Sequence, residues 1–318
     1  MLLSYLKRWL LEFAAIAISS FTYFKNPFGA EDSLFIHSSL PLLKLQDGQW
    51  RFPNTNDYIG DCSSKWMASY QNFPLDKQNL NKVIANGWNK HVYSVGKDKV
   101  IKKIYANGVS TSKCHRELDS SSTADTECIR DVANGFIKEI GFLLKLQGDP
   151  SVPKLFAYCI PQDFSYNFHQ LSIIVSSGSS PLDMIYLLQI KWKTRLKITS
   201  DILDFVHRIW PVQLHDFRRQ QFVMSAQKSP VYVDFDDASE VKKCEFAGDV
   251  NCIDTLDQDF EYGAKSARKA YEDFSKNLFW IGAPEEAFKR LKDLKHAYAN
   301  NTLDVPKFQK ILKDLLAL

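Results

Sequence analysis

Oxygen donors recur in one short stretch of the sequence. Asp216 is followed five positions on by Gln221, and Asp234-Phe235-Asp236-Asp237 comes after two apolar runs, Phe222–Met224 and Val231–Val233, which flank the turn Ser225–Pro230. Carboxylates and an amide carbonyl are the ligands that a hard divalent cation takes, and a carboxylate beside an acceptor hydroxyl can remove its proton. Upstream, Lys102 lies in the β-type run Val100-Ile101-Lys102-Lys103-Ile104, and Glu139 lies on a helical pattern next to Ile140. A cation for phosphate oxygens, carboxylates for Mg²⁺ or Mn²⁺ and a carboxylate at the acceptor are the parts that phosphoryl transfer requires. Each is ordinary alone: a strand lysine is usually a solvated charge, and aspartates near turns are usually caps. Their joint occurrence in this order carries the reading, with Asp216 as base, Lys102 on the phosphates, Glu139 as partner of Lys102, and Asp234 and Gln221 as metal ligands. Strand alternation puts Lys103 on the face opposite Lys102.

These residues need elements to hold them. Val83–Ile84, Val92–Val95 and Val100–Ile104 read as short strands separated by turns at Asn86-Gly87 and Gly96-Lys97-Asp98. A helix follows: Ile129, Val132, Phe136, Ile140 and Leu143 recur at helical spacing until Gly148 and Pro150 end the run. Leu155–Tyr158 and Leu171–Val175 read as further strands, and Ser176–Pro181 as a hinge. Helices are expected over Leu182–Gln189, over Trp192–Trp210 and again from about Phe260. The segment Ile84–Val92 sits where a phosphate-covering loop would lie, with Gly87 allowing one close backbone approach, so Ile84, Gly87, Val92 and Lys102 form the expected ATP site.

This order, an antiparallel sheet with one helix, a hinge, then a helical half carrying a hairpin, predicts an α+β class. It resembles the bilobal protein-kinase fold, with an N-lobe over 76–177 and a C-lobe over 178–318. Before it, residues 31–75 read as an irregular luminal arm, and residues 1–30 as a signal peptide or signal anchor. In that leader Lys7 and Arg8 precede the mostly apolar run Trp9–Phe24. A membrane enters the picture only if this segment stays uncleaved. The net charge of +3, from 40 Lys+Arg against 37 Asp+Glu, is far from the basic excess of a nucleic-acid binder, so no nucleic acid is expected as a partner.

Six cysteines fit disulfides in an oxidising lumen. Spacing pairs Cys244 with Cys252 and Cys114 with Cys128 as short loops, and leaves Cys62 with Cys159 as the remaining pair. No CxxC or Cys/His cluster suggests structural zinc. Asn300-Asn301-Thr302 is a glycosylation sequon.

Several runs are similar to a known group: Asp216-Phe217-Arg218-Arg219-Gln220-Gln221-Phe222-Val223, Asp234-Phe235-Asp236-Asp237-Ala238, Leu182–Gln189, Tyr158-Cys159 and the Cys244…Cys252 loop. They resemble the secreted kinases of the vertebrate-lonesome-kinase type and, more distantly, the cysteine-rich FAM69-type kinases. Gln221 stands in place of Asn and Asp236 in place of the usual Gly. The resemblance implies ATP-dependent phosphorylation, on tyrosine, of secreted or luminal proteins, with ATP and Mg²⁺ or Mn²⁺ as cofactors and a Golgi-to-extracellular itinerary. The stretch Cys252–Lys265 is shortened relative to those kinases, no Ala-Pro-Glu motif occurs, and His215 stands where many kinases carry an Arg that binds a phosphorylated loop. A pseudokinase-type binding or regulatory module, and a luminal glycan kinase, are the alternatives of other classes.

Overall fold

In the computed structural model the described residues are 48–53, 58–62, 83–95, 98–105, 107–117, 124–163, 167–241 and 255–318. The targeting segment, most of the expected arm, the Gly96-Lys97 part of a turn and the Cys244…Cys252 loop lie outside them.

The first half is built on seven strands: β1 (Gln49–Arg51), β2 (Tyr58–Asp61), β3 (Val83–Asn86), β4 (Lys90–Ser94), β5 (Lys99–Ile104), β6 (Leu155–Cys159) and β7 (Ser172–Ser176). They form one sheet in the order β2-β1-β6-β7-β5-β4-β3, every neighbour antiparallel. Two helices belong to this half, α1 (Val109–Glu117) and α2 (Ala124–Lys145). Alternation sorts the side chains of β5: Ile101 packs with Trp50, Val95, Ala157, Cys159 and Ile174 in a hydrophobic cluster, so Lys102 stands on the opposite face.

The arm differs from the sequence expectation. Its described part is not irregular: β1 pairs with β6 through Trp50↔Cys159 and Arg51↔Tyr158, and β2 pairs with β1. The turn residues around these strands hide the signal, because two strands of three and four residues are too short to show periodicity. The buried Trp50 supplies the apolar anchor that fixes the arm. Cys62–Cys159 then closes the seam, and Cys114–Cys128 joins α1 to α2, as the spacing predicts.

The chain leaves the sheet through Ser177–Ser179. Here Ser177 N–H donates to the Asp98 carbonyl at 2.9 Å and Ser179 N–H to the Met224 carbonyl at 2.6 Å, so the hinge is tied on both sides. Gly178 is required, because a Cβ there would come within 2.5 Å of the Val223 side chain. Next come β8 (Ser180–Pro181), α3 (Met184–Gln189), α4 (Trp192–Arg208), β9 (Val212–Gln213), β10 (Phe222–Met224), β11 (Pro230–Tyr232) and β12 (Ser239–Glu240). The hairpin β10–β11 also pairs with β8. The helical remainder is α5 (Thr255–Ala270), a π turn over Tyr271–Ser275, α6 (Phe288–Ala299) and α7 (Val305–Leu316). Buried Leu196, Ile202, Leu203 and Val206 make the inner stripe of α4, which packs on α5 and α7. Asp304 caps α7 by accepting the Lys307 N–H at 2.8 Å. The whole is α+β, as predicted, and no helix of the described residues is long and apolar enough to cross a membrane.

The Cys62–Cys159 bridge spans 97 residues, and a cross-link over so long a loop restricts the unfolded chain strongly. Replacing both cysteines by serine is expected to lower the unfolding free energy by about 2–5 kcal/mol, read from denaturant melts with midpoint and slope fitted separately, since the freed unfolded chain exposes more surface. An unchanged unfolding free energy would contradict the pairing.

Candidate active site

Glu139 is where the site begins. Phe136, Ile137, Ile140 and Leu143 bury one side of α2, and Glu139, next to Ile140, is buried with them at 0% exposure. Gly135, one turn before it, packs against Asp236: a Cβ there would stand 3.4 Å from Cβ of Asp236, an ordinary contact. A buried carboxylate must be paired, and this one is paired twice. Lys102 Nζ donates to its Oε1 at 2.6 Å and Lys90 Nζ to its Oε2 at 2.6 Å. Lys102 also donates to the Val233 carbonyl, the residue just before Asp234.

Lys90 escaped the sequence reading. It starts β4 and is only 7% exposed. Its ammonium reaches Asp234 Oδ1 at 2.5 Å and Asp236 Oδ2 at 2.9 Å besides Glu139. The signal was available: Val92 pairs directly across from Lys102, so it shares that face, and Lys90, two residues earlier on the same strand, must share it as well. Lys103 alternates away, half-buried, and burial lowers its pKa.

Asp216 stands in the loop between β9 and β10. That loop is fixed from below by Phe217, Phe222, Tyr232, Phe235 and Phe274, whose rings meet edge-on at centroid distances of 5.0–6.5 Å. It is fixed laterally by Asp273, whose carboxylate accepts the Arg219 N–H at 2.9 Å, and by the Tyr262 hydroxyl, which accepts the Leu214 N–H at 3.0 Å. Oδ2 of Asp216 takes the Arg218 guanidinium at 2.8 Å and also the Gln221 side-chain amide. Oδ1 is thus the oxygen left for a substrate hydroxyl. Because the nitrogen of Gln221 is spent on Asp216, its carbonyl oxygen is the atom left for a cation.

The second strand of the hairpin ends one residue earlier than the predicted Val231–Val233. Val233 N–H still donates to the Gln221 carbonyl at 2.9 Å, in register with the hairpin, and the next residue, Asp234, meets Lys90. Asp216, Gln221, Asp234 and Asp236 line one cleft of about 450 Å³ with Gly87, Trp88, Asn89 and Lys90. Above it, the loop Gly87–Asn89 is braced by α1, whose Val109 N–H donates to the Trp88 carbonyl at 2.8 Å. Gly108 makes this approach possible: a Cβ there would fall 2.2 Å from that carbonyl oxygen. Lys102 and Glu139 sit behind Lys90, and neither Ile84, half exposed on β3, nor Val92 belongs to the cleft lining. The predicted set Lys102, Glu139, Asp216, Gln221, Asp234 and Gly87 is therefore gathered around one cleft, to which the structure adds Lys90 and Asp236.

This is the layout of the protein-kinase fold. No family model matches the chain. Over 179 residues it is 31% identical to the human extracellular tyrosine-protein kinase PKDCC, a match that covers 54% of this chain and 34% of that protein. The chain thus spans about a third of the length of the curated relative it matches. Among solved structures, the bifunctional kinase-methyltransferase WbdD is similar at medium resolution with 14% identity, 72% of this chain and 43% of that chain covered, and a TM-score of 0.46. Its 2.2 Å structure gives 14% identity, 74% and 45% coverage, and a TM-score of 0.43.

Among the described residues no group of three or more His, Cys, Asp or Glu side chains is arranged to hold a metal by itself. The donors present do fit Mg²⁺ or Mn²⁺ with a nucleotide: Asp234, Asp236 and the Gln221 carbonyl are hard oxygens, and such ions take their remaining positions from phosphates and water. The carboxylates are not alike. Burial raises the pKa of Asp234, but Lys90 and Lys102 outweigh it and hold the group below the usual carboxylate range. Asp236 goes the other way, pushed up to about 6 by burial and by the Asp234 and Glu139 charges against the opposing pull of Lys90.

A carboxyl whose folded-state pKa is raised binds its proton more tightly in the folded protein. It therefore opposes folding when ionised, above about pH 6, and ceases to do so as pH falls through about 6 toward 4. In the presence of a chelator, Asp236→Asn is expected to be more stable than the wild type at pH 7, with the difference shrinking toward pH 4. Urea melts at pH 4, 5, 6 and 7 measure it, and a difference that does not vary with pH would refute this assignment.

Proposed function

We propose that this chain is a kinase that transfers the γ-phosphoryl group of ATP to protein hydroxyls, on tyrosine, in the Golgi lumen or outside the cell. The observation that carries the reading is the Lys102–Glu139 pair at 2.6 Å, buried behind a cleft that also holds Asp216 and Asp234. A lysine fixed by a buried carboxylate is held in one position, which a phosphate-binding cation needs. The relative's name, extracellular tyrosine-protein kinase, supports the acceptor and the compartment. The two disulfides support the compartment as well.

In this reading the loop Gly87–Asn89 covers the phosphates, and Lys102 neutralises part of their charge. Asp234 and the Gln221 carbonyl, with Asp236 beside them, would hold the divalent cation, which draws charge from the transferring phosphoryl group. Asp216 receives the acceptor hydroxyl at Oδ1 and takes its proton as the oxygen attacks phosphorus. Arg218 and Gln221 on Oδ2 keep its carboxylate turned. Trp88, 61% exposed and 5.8 Å from the Arg218 guanidinium, flanks the acceptor side and offers a ring on which a tyrosine can stack.

Two comparisons test the assignment. Lys102→Met is expected to abolish transfer while Lys103→Met keeps most of it, measured as phosphate incorporation into a pool of secreted proteins by folded variants. Asp216→Asn should leave nucleotide affinity nearly intact and reduce turnover on the order of 10²–10⁴-fold, whereas Asp234→Asn should lose metal-dependent nucleotide binding together with turnover. A wild type that binds ATP without turnover on any such pool would make the chain a nucleotide-binding pseudokinase instead.

A further inference from the structure

Lys90 has no counterpart in the roles assigned above. It lines the cleft directly, in front of Lys102, and its ammonium is the common neighbour of three carboxylates, Glu139 at 2.6 Å, Asp234 at 2.5 Å and Asp236 at 2.9 Å. A lysine serving only to neutralise Glu139 would need one of these contacts, and Lys102 already supplies it on the other oxygen. Instead Lys90 bridges two aspartates whose oxygens suit a divalent cation.

We propose that Lys90 is a second phosphate-binding lysine of this site, which serves as counter-ion to Asp234 and Asp236 until a divalent cation takes its place and then turns to the nucleotide's phosphates. The inference rests on the nucleotide-binding reading of the cleft. Two ammonium groups, Lys90 and Lys102, face three carboxylates, Glu139, Asp234 and Asp236, which leaves one negative charge in excess. A divalent ion entering between the aspartates reverses that excess, so the nearest single positive charge is repelled from it while the phosphate oxygens arriving with the ion attract the same charge. The position of Lys90 permits the move. It is the first residue of β4, directly after the loop Gly87–Asn89, and the Gly87 N–H donates to its carbonyl at 2.8 Å, so its backbone is fixed and only the flexible stem must swing. Lys102 lacks this freedom, being held between Glu139 and the Val233 carbonyl.

The exchange predicts opposite changes in two affinities. Folded Lys90→Met should bind Mn²⁺ alone about tenfold more tightly than the wild type, since a competing cation is gone, and should bind a fluorescent ATP analogue with Mn²⁺ about tenfold more weakly, since a charge-assisted contact is lost. Free Mn²⁺ by electron paramagnetic resonance and nucleotide binding by fluorescence anisotropy read the two quantities without recourse to turnover. Lys90→Gln, which keeps a hydrogen-bond donor for the carboxylates, is measured in the same way and replaces Lys90→Met if that variant does not fold. Both shifts in the stated directions support the exchange, while no shift, or a shift in only one affinity, overturns it. If the wild type binds the analogue with Mn²⁺ and the variants bind it equally well, the role of Lys90 falls and the kinase reading stands. If the wild type binds no nucleotide with any divalent metal, the kinase reading fails and the role of Lys90 fails with it.

Discussion

A carboxylate with no exposure to water sets the terms for the rest of the molecule. An unpaired charge in the position of Glu139 would cost several kcal/mol, and breaking one partner from a buried pair typically costs about 3–5 kcal/mol. Its two oxygens are satisfied by lysines on different strands. The helix α2, the strands β4 and β5 and the segment after β11 must therefore reach their final positions together. Slipping β4 by one residue would turn Lys90 to the opposite face and leave Oε2 of Glu139 and both aspartates without their counter-ion. The charge cluster thus acts as a registration device between the sheet and the helical half, although its members are chemically the ones a phosphate site requires.

On the other side of the cleft, position is set by packing instead of charge. The loop carrying Asp216 lies over a stack of aromatic rings and is pinned at both ends by Asp273 and Tyr262. A loop can hold a reactive group precisely only when a rigid scaffold supports it. Here the support comes from residues distant in sequence, Phe274 and Asp273 on the π turn and Tyr262 on α5. Val233 keeps one bond to the hairpin through the Gln221 carbonyl, and Asp234, the next residue, faces Lys90.

Much of this was legible in the sequence, for identifiable reasons. The order of strands, helix, hinge and hairpin follows from apolar periodicity and turn residues, and the chemical residues sit at element ends where local patterns mark them. Lys102 was separable from Lys103 because strand alternation is strict. Lys90 was missed because the segment around Gly87 was read as a loop, in which alternation has no meaning; the strand begins at Lys90 itself. Asp236 was seen as a substitution for glycine, but its place beside α2, next to Gly135 and paired with Lys90, is a tertiary contact that no local pattern marks. The strands β1 and β2 were too short for any pattern and owe their existence to Trp50, Cys62 and the partner strand.

Those two short strands alter how the chain meets its neighbours. Without them β6, with Leu155, Ala157, Tyr158 and Cys159 all buried, would be the outer strand of the sheet, apolar on both faces and with a free row of backbone donors and acceptors. Such a margin is a template on which a second chain can add. The arm moves the margin outward to β2, four residues long, joined to β1 through an irregular register and ending in Asp61. Short, bent and charged strands of that kind resist intermolecular pairing. Oxidation of Cys62 with Cys159 therefore does more than tie two residues together. It keeps the cover over the sheet, so a reducing environment would expose this protein to aggregation through β6 even where the cleft itself remained intact.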